Sequence, residues 1–224
     1  MTNHPASGQA LTAWSKDAIT TSGSTDRCFA GEFVSNGGSS CPSGSDLDAQ
    51  TGPGACDDDL CQDANFPSDL FKFLFGVPKA EYQKIKDQAR VVADCSGLNA
   101  SSSGLIWVTG SCNPSGTVGS VDAPVLLIVQ GETSLNGGAK IFGFLNMFNP
   151  DSTATPKLTS NGNASIEGAV FSHRASCPET GSDKCLQLNG GFVLKYNVTV
   201  LNNIRNNPSG RALARISGAW SDMQ

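Results

Sequence analysis

Apolar and polar positions change rhythm twice along the chain. From residue 20 to 69, Gly, Ser, Asp and Pro dominate, as in SNGGSSCPSGSDLDAQTGPGACDDDLC (35–61). Such a stretch carries too few apolar side chains to bury a core of its own, so it is expected to be an irregular region stapled by cysteines. Before it, LTAWSKDAI (11–19) is the one helix-like piece, too short to stand alone unless it packs or continues an upstream helix. At Phe66 the pattern turns helical. In FPSDLFKFLFGVP, Ser68 is the predicted N-cap, Leu70, Phe71, Leu74 and Phe75 the apolar face, and Gly76 the stop. Pro78 opens a second predicted helix, PKAEYQKIKDQARVV, with Tyr82, Ile85 and Ala89 on one face. Its Lys79, Glu81, Lys84, Lys86 and Asp87 read as solvated charges.

From Gly104 onward the pattern is that of strands. GLIWVTG and APVLLIVQG are apolar runs stopped by glycine, and VLLIV has the continuous character of a strand covered on both faces. Three related units follow: NGGAKIFG at Asn136 and Gly137, NGNASIEG at Asn161 and Gly162, and NGGFVLKY at Asn189 and Gly190. In the second, Ala164, Ile166, Ala169 and Phe171 are expected inward; in the third, Phe192, Leu194 and Tyr196 alternate against Val193 and Lys195. The units recur after 25 residues (161 − 136) and 28 residues (189 − 161). Asn-Gly serves either the tight turn of an antiparallel hairpin or the corner after each strand of a parallel solenoid. A unit returning at nearly constant distance favours the solenoid, with a sandwich or sheet of hairpins as the alternative.

Composition and charge narrow the classes. The 224 residues suit one large β-rich domain with an irregular attachment. A net charge of −5 without a dense Lys/Arg cluster argues against nucleic-acid binding. No apolar run reaches the ~18–20 residues that span a bilayer, and the first residues lack the apolar core of a signal peptide. Either the protein is soluble as written, or an upstream piece precedes Met1.

Eight cysteines point to an oxidising compartment. Sequence alone leaves many connectivities open; proximity favours Cys28 with Cys41, Cys56 with Cys61, Cys95 with Cys112, and Cys177 with Cys185. Zinc ligation is disfavoured, because no Cys-x-x-Cys occurs. The acidic loop with Asp46, Asp48, Asp57, Asp58, Asp59 and Asp63 is a calcium candidate, although the later glutamate of a helix–loop–helix calcium site is missing and a solvated loop explains it as well.

No catalytic constellation can be assembled. His4 and His173 are the only histidines, and neither has an evident carboxylate or nucleophile partner. The strand region offers Lys140, Glu167, Arg174 and Lys195, about one charge per repeat, which leaves a carbohydrate-binding or polysaccharide-cleaving β-helix protein as an alternative only. The Asn-x-Ser/Thr triplets at Asn99, Asn163 and Asn197 read as packing positions in strands or corners.

Several segments, in order, carry a resemblance: GLIWVTGSC, TVGSVDAPVLLIVQGETSLNGGAKIFGFL, LTSNGNASIEGAVFS, LQLNGGFVLKYNVTVLNNI and GRALARISGAWSDMQ. Together they resemble the C-terminal soluble region of PilX-type minor pilins of bacterial type IV pili, from about Cys95 to the C-terminus. The ending is similar to that family's Gly-Ser-Trp-Arg-Asp-Phe segment, with Ala219, Ser221 and Met223 as departures. The cysteine-rich stretch from Cys28 to Cys61 matches no pattern of the family.

The resemblance implies a subunit whose hydrophobic N-terminal helix, absent here, anchors an inner-membrane precursor with a periplasmic domain and later packs against the major pilin. It implies other minor pilins and a large PilY-type tip protein as partners, an extracellular fibre as the location, and roles in assembly initiation and surface attachment. It implies no enzyme activity and no cofactor. The expected organisation is therefore a helix stub and cysteine-rich region (1–65), two short helices (66–103), and a mainly β unit built as a short parallel solenoid with a C-terminal segment (104–224).

Overall fold

The computed structural model describes residues 66–150, 157–173 and 191–206 in full, and strand placement alone at 2–3, 28–29 and 186–188. The chain divides into two compact units, residues 1–68 with 216–224, and residues 69–215. In the first, strands β1 (Thr2–Asn3) and β2 (Cys28–Phe29) pair in parallel. The helix expected at 11–19 lies outside the described residues.

The second unit begins with α1 (Leu70–Phe75), whose Leu70, Phe71, Leu74 and Phe75 are all buried. Its cap is Asp69 rather than the expected Ser68. One carboxylate oxygen accepts from the Lys72 N–H at 2.8 Å and the other from the Lys79 N–H at 2.9 Å, satisfying two amides that a serine hydroxyl could not reach together. Gly76 ends the helix in the left-handed conformation, φ 70°, as expected. The long second helix does not form. A 3₁₀ turn (Lys79–Glu81) leads into the short helix α2 (Gln83–Lys86), and the chain then extends as β3 (Arg90–Val92). Val91 and Val92 are β-branched and find backbone partners in the neighbouring strand, which outweighs helical continuation.

The remaining strands are β4 (Gly104–Val108), β5 (Thr117–Val118), β6 (Val125–Val129), β7 (Thr133–Asn136), β8 (Lys140–Met147), β9 (Leu158–Asn161), β10 (Ser165–Ser172), β11 (Leu186–Leu188) and β12 (Val193–Lys195). In this unit they form two sheets. The larger runs β12-β10-β8-β6-β4-β3, with β5 also pairing β8; the smaller runs β11-β9-β7. Every pairing among the described residues is parallel, which sets aside hairpins and an antiparallel sandwich. The described residues are thus mainly β and parallel, with few helices.

The chain alternates between the two sheets from β6 to β12. The repeat intervals seen in the sequence are the pairing registers. Lys140 pairs with Ser165 and Met147 with Ser172, an offset of 25, and Asn136 pairs with Asn161 at the same offset in the smaller sheet. Ser165 with Val193 and Leu158 with Leu186 are offset by 28.

A single apolar cluster lies on the inner faces of both sheets, including Ile106, Leu127, Leu145 and Ile166 from the larger and Leu135 and Leu158 from the smaller. The larger sheet is also covered on its other face. Trp107, Leu126, Ile128, Phe144 and Phe148 are fully buried there, alternating with the inward positions. Phe71 of α1 packs on Phe148 at a centroid distance of 4.5 Å, and Tyr82 stacks on Trp107 at 5.8 Å. Coverage on both faces explains why VLLIV is buried at all five positions.

A third helix, α3 (Val198–Asn206), packs on β8 and β10 where the alternating NVTVL suggested strand. Val200, Leu201 and Ile204 form its buried face, and the Asn197 side chain accepts from the Thr199 and Val200 N–H groups. The pattern of β10 is also corrected: Ala164 and Ile166 point inward, but the strict alternation sends Val170 inward and Phe171 outward, where it stacks on Phe144 at 4.3 Å.

Candidate functional site

The Asn-Gly units are corners between the two sheets. Asn136 ends β7 and Asn161 ends β9, and the following Gly137, Gly138 and Gly162 have φ of 59°, 81° and 90°, conformations that favour glycine. Asn161 Nδ2 donates to Asn136 Oδ1 at 3.4 Å, so the corners stack side chain on side chain. Asn189 and Gly190 fall outside the described residues. A Cβ at Gly191 beside them would come within 2.6 Å of Asn163 Oδ1, so that side chain would have to shift.

The outer polar residues of β8, β10 and β12 converge, which sequence spacing taken one repeat at a time does not show. Glu167 pairs in register with Lys195. Its carboxylate lies 3.9 Å from both Lys140 Nζ and Lys195 Nζ and accepts from Asn197 Nδ2 at 2.9 Å. The signal was available: counting from each Asn-Gly places Glu167 and Lys195 at the same position of their units. Asn197 thereby ties the start of α3 to the sheet, a role in a helix cap rather than a strand or corner. Arg174 lies outside the described residues.

His173 is structural. Its ring lies 4.9 Å from Phe148 and 6.0 Å from Phe71, and Nε2 is 2.7 Å from Asn146 Oδ1. Burial pushes its pKa down to about 3, the nearby Lys79 pushes the same way and Asp69 opposes. Among the described residues the ring's hydrogen-bond partner is an amide rather than a carboxylate, so no described group orients this imidazole as a general base. Lys79 and Lys86, expected as simple solvated charges, lie over the rings of Phe148 and Trp107 at 5.8 and 5.5 Å, so their stems help shield the aromatic layer.

Cys95 and Cys112 form a disulfide, as proximity favoured. Cys112 bridges to Thr133 and so extends the line of the smaller sheet. The other six cysteines and the acidic calcium candidates Asp46, Asp48, Asp57, Asp58 and Asp59 fall outside the residues whose side chains are described. Among the described residues, no three His, Cys, Asp or Glu side chains gather as a metal site. No described helix is long and apolar enough to cross a membrane.

The chemistry these groups support is cohesion: stacked amides, a charge network across three strands and an aromatic layer under short helices. Searches of protein-family models, of curated proteins and of solved structures find no match to this chain.

Proposed function

We propose that the chain is the globular part of a PilX-type minor pilin, that its two parallel sheets are successive faces of a short solenoid, and that it acts as a rigid, non-enzymatic subunit in type IV pilus assembly and surface attachment. The observation that carries this reading is the order of the resembling segments. The four from GLIWVTGSC to LQLNGGFVLKYNVTVLNNI supply β4 to β12 and α3 in sequence, each adding to the same parallel ladders. Alternation of the chain between two sheets at matching offsets supports the solenoid. A ladder of this kind resists bending and presents loops on a fixed frame, as a subunit transmitting load in a fibre needs.

The partners on this reading are other minor pilins, the major pilin and a PilY-type tip protein, met outside the cell after passage through an inner-membrane precursor. A polysaccharide-cleaving enzyme is the poorer reading. Glu167 lies 3.9 Å from two lysine ammonium groups and accepts a hydrogen bond from the Asn197 amide, so its oxygens are already engaged within the fold. The test is deletion of the gene in its source bacterium. Loss of surface pili and of attachment, restored by the gene in trans, is the expected result; normal piliation and attachment would overturn the proposal.

A further inference from the structure

All-parallel sheets are ordinarily covered on both faces, as the larger sheet is here. The smaller sheet departs from that rule. Its inner positions Leu135 and Leu158 are buried in the core, whereas the alternate positions carry Ser134, Asn136, Thr159 and Asn161, which remain part- to fully exposed. Pairing places Ser134 beside Thr159 and Asn136 beside Asn161, with Gln187 next to Thr159 in register on β11. The result is two columns of uncharged hydrogen-bonding residues, spaced ~4.8 Å from strand to strand. The motif polar-x-Asn-Gly recurs a third time as Gln187-Leu188-Asn189-Gly190.

Two further features suit this face to a ligand. The glycines at its corner are exposed, and no atom lies within 4 Å of where a Gly137 Cβ would stand. Among the described residues, charge next to this face lies at the opposite margin, where Lys157 and Glu132 pair at 3.6 Å. A face of amides and hydroxyls with no net charge matches a partner that is itself neutral and rich in repeated donors and acceptors.

We infer that the outer face of the smaller sheet binds a neutral polysaccharide, its hydroxyls meeting the side chains at Ser134, Asn136, Thr159 and Asn161. This rests on the attachment role proposed above and names the chemistry of the surface attached to. The ladder form of the site favours a polymer over a single sugar, since one chain can engage several strands at once and the weak bonds act together.

The test uses the full chain and three insoluble neutral polysaccharides, cellulose, chitin and cross-linked dextran, with alginate gel as the anionic comparison. Retention on at least one neutral polymer, surviving about 1 M salt where screening reaches within ~3 Å, is expected. Thr159→Glu and Ser134→Glu should each weaken retention about tenfold by placing a charge against hydroxyls, while Thr159→Ser and the distant Asp122→Asn should keep it. Circular dichroism of each variant confirms that the fold persists. Release of the wild type from all three neutral polymers, release by salt, or equal retention of the glutamate variants would overturn the inference. Piliation separates this from the pilin reading: a Thr159→Glu strain should still assemble pili, whereas unchanged pili after gene deletion would count against the pilin reading alone.

Discussion

The two sheets of the second unit share one core but differ in what lies on their far sides. The larger sheet is buried twice, against the common cluster and against Phe71, Tyr82 and the aromatic layer under the helices. The smaller sheet buries only alternate residues and turns serine, threonine and asparagine outward. The same parallel backbone ladder therefore performs two tasks. Where both faces are apolar it fixes the frame, and where one face is polar it offers a surface. The difference is written in burial pattern: all five positions of VLLIV are buried, but in TSLN every second one is.

That contrast can be broken most severely at Gly168. It stands on Gly143 in register, has φ 145°, and a Cβ there would come within 1.9 Å of the Gly143 carbonyl oxygen. Gly168→Ala is expected to cost more than about 4 kcal/mol and to leave the second unit unfolded by circular dichroism. Next comes the aromatic layer. Phe148→Ala removes a fully buried ring that contacts Phe71, Tyr82, Trp107 and His173, and should lower stability by about 3–4 kcal/mol in urea denaturation. The paired change Cys95→Ser with Cys112→Ser opens a loop with a sequence separation of 17 and should cost about 2–3 kcal/mol, measured in the same way.

A further effect appears only as pH is lowered. The His173 pKa is about 3 in the folded protein against an ordinary 6.5, so the unfolded chain takes up a proton that the folded chain refuses. The stabilisation from its neutral state is fully present above pH 6.5 and is lost as pH falls toward 3, at up to about 1.4 kcal/mol per pH unit. His173→Gln should lose that slope, so the difference between wild-type and variant denaturation midpoints should change with pH between 6.5 and about 3. The smallest effect is expected on the polar face: Ser134→Ala should shift stability by no more than about 0.5 kcal/mol, because its side chain contributes to no core.

Much of this frame was legible because the physical causes are local or periodic. The αL glycine at Gly76, the both-face burial of VLLIV and the Cys95–Cys112 pair each follow from short-range pattern. The spacing of Asn136, Asn161 and Asn189 held still more, since those intervals are the strand registers. Other features were not legible for a stated reason. Residues 90–92 read as the end of a helix because their decisive partners, Ile106 to Val108, lie far along the chain. The stretch up to Leu201 read as strand, yet Asn197 could cap and Val200, Leu201 and Ile204 could share a helical face; packing on β8 and β10 selected the helix. The contact between His173 and Asn146 is likewise tertiary, made between β8 and the residue just after β10, 27 apart in sequence.

The central claim is that one repeated unit stacks in parallel, with its register set by the interval between Asn-Gly corners. Nuclear Overhauser contacts between backbone protons of β8, β10 and β12 test it most directly. The account predicts interstrand contacts that follow the parallel pattern at a constant offset of 25 residues from β8 to β10 and 28 from β10 to β12. Close contacts between α-protons of facing residues, with sequence sums rather than differences held constant, would mark antiparallel hairpins and contradict it.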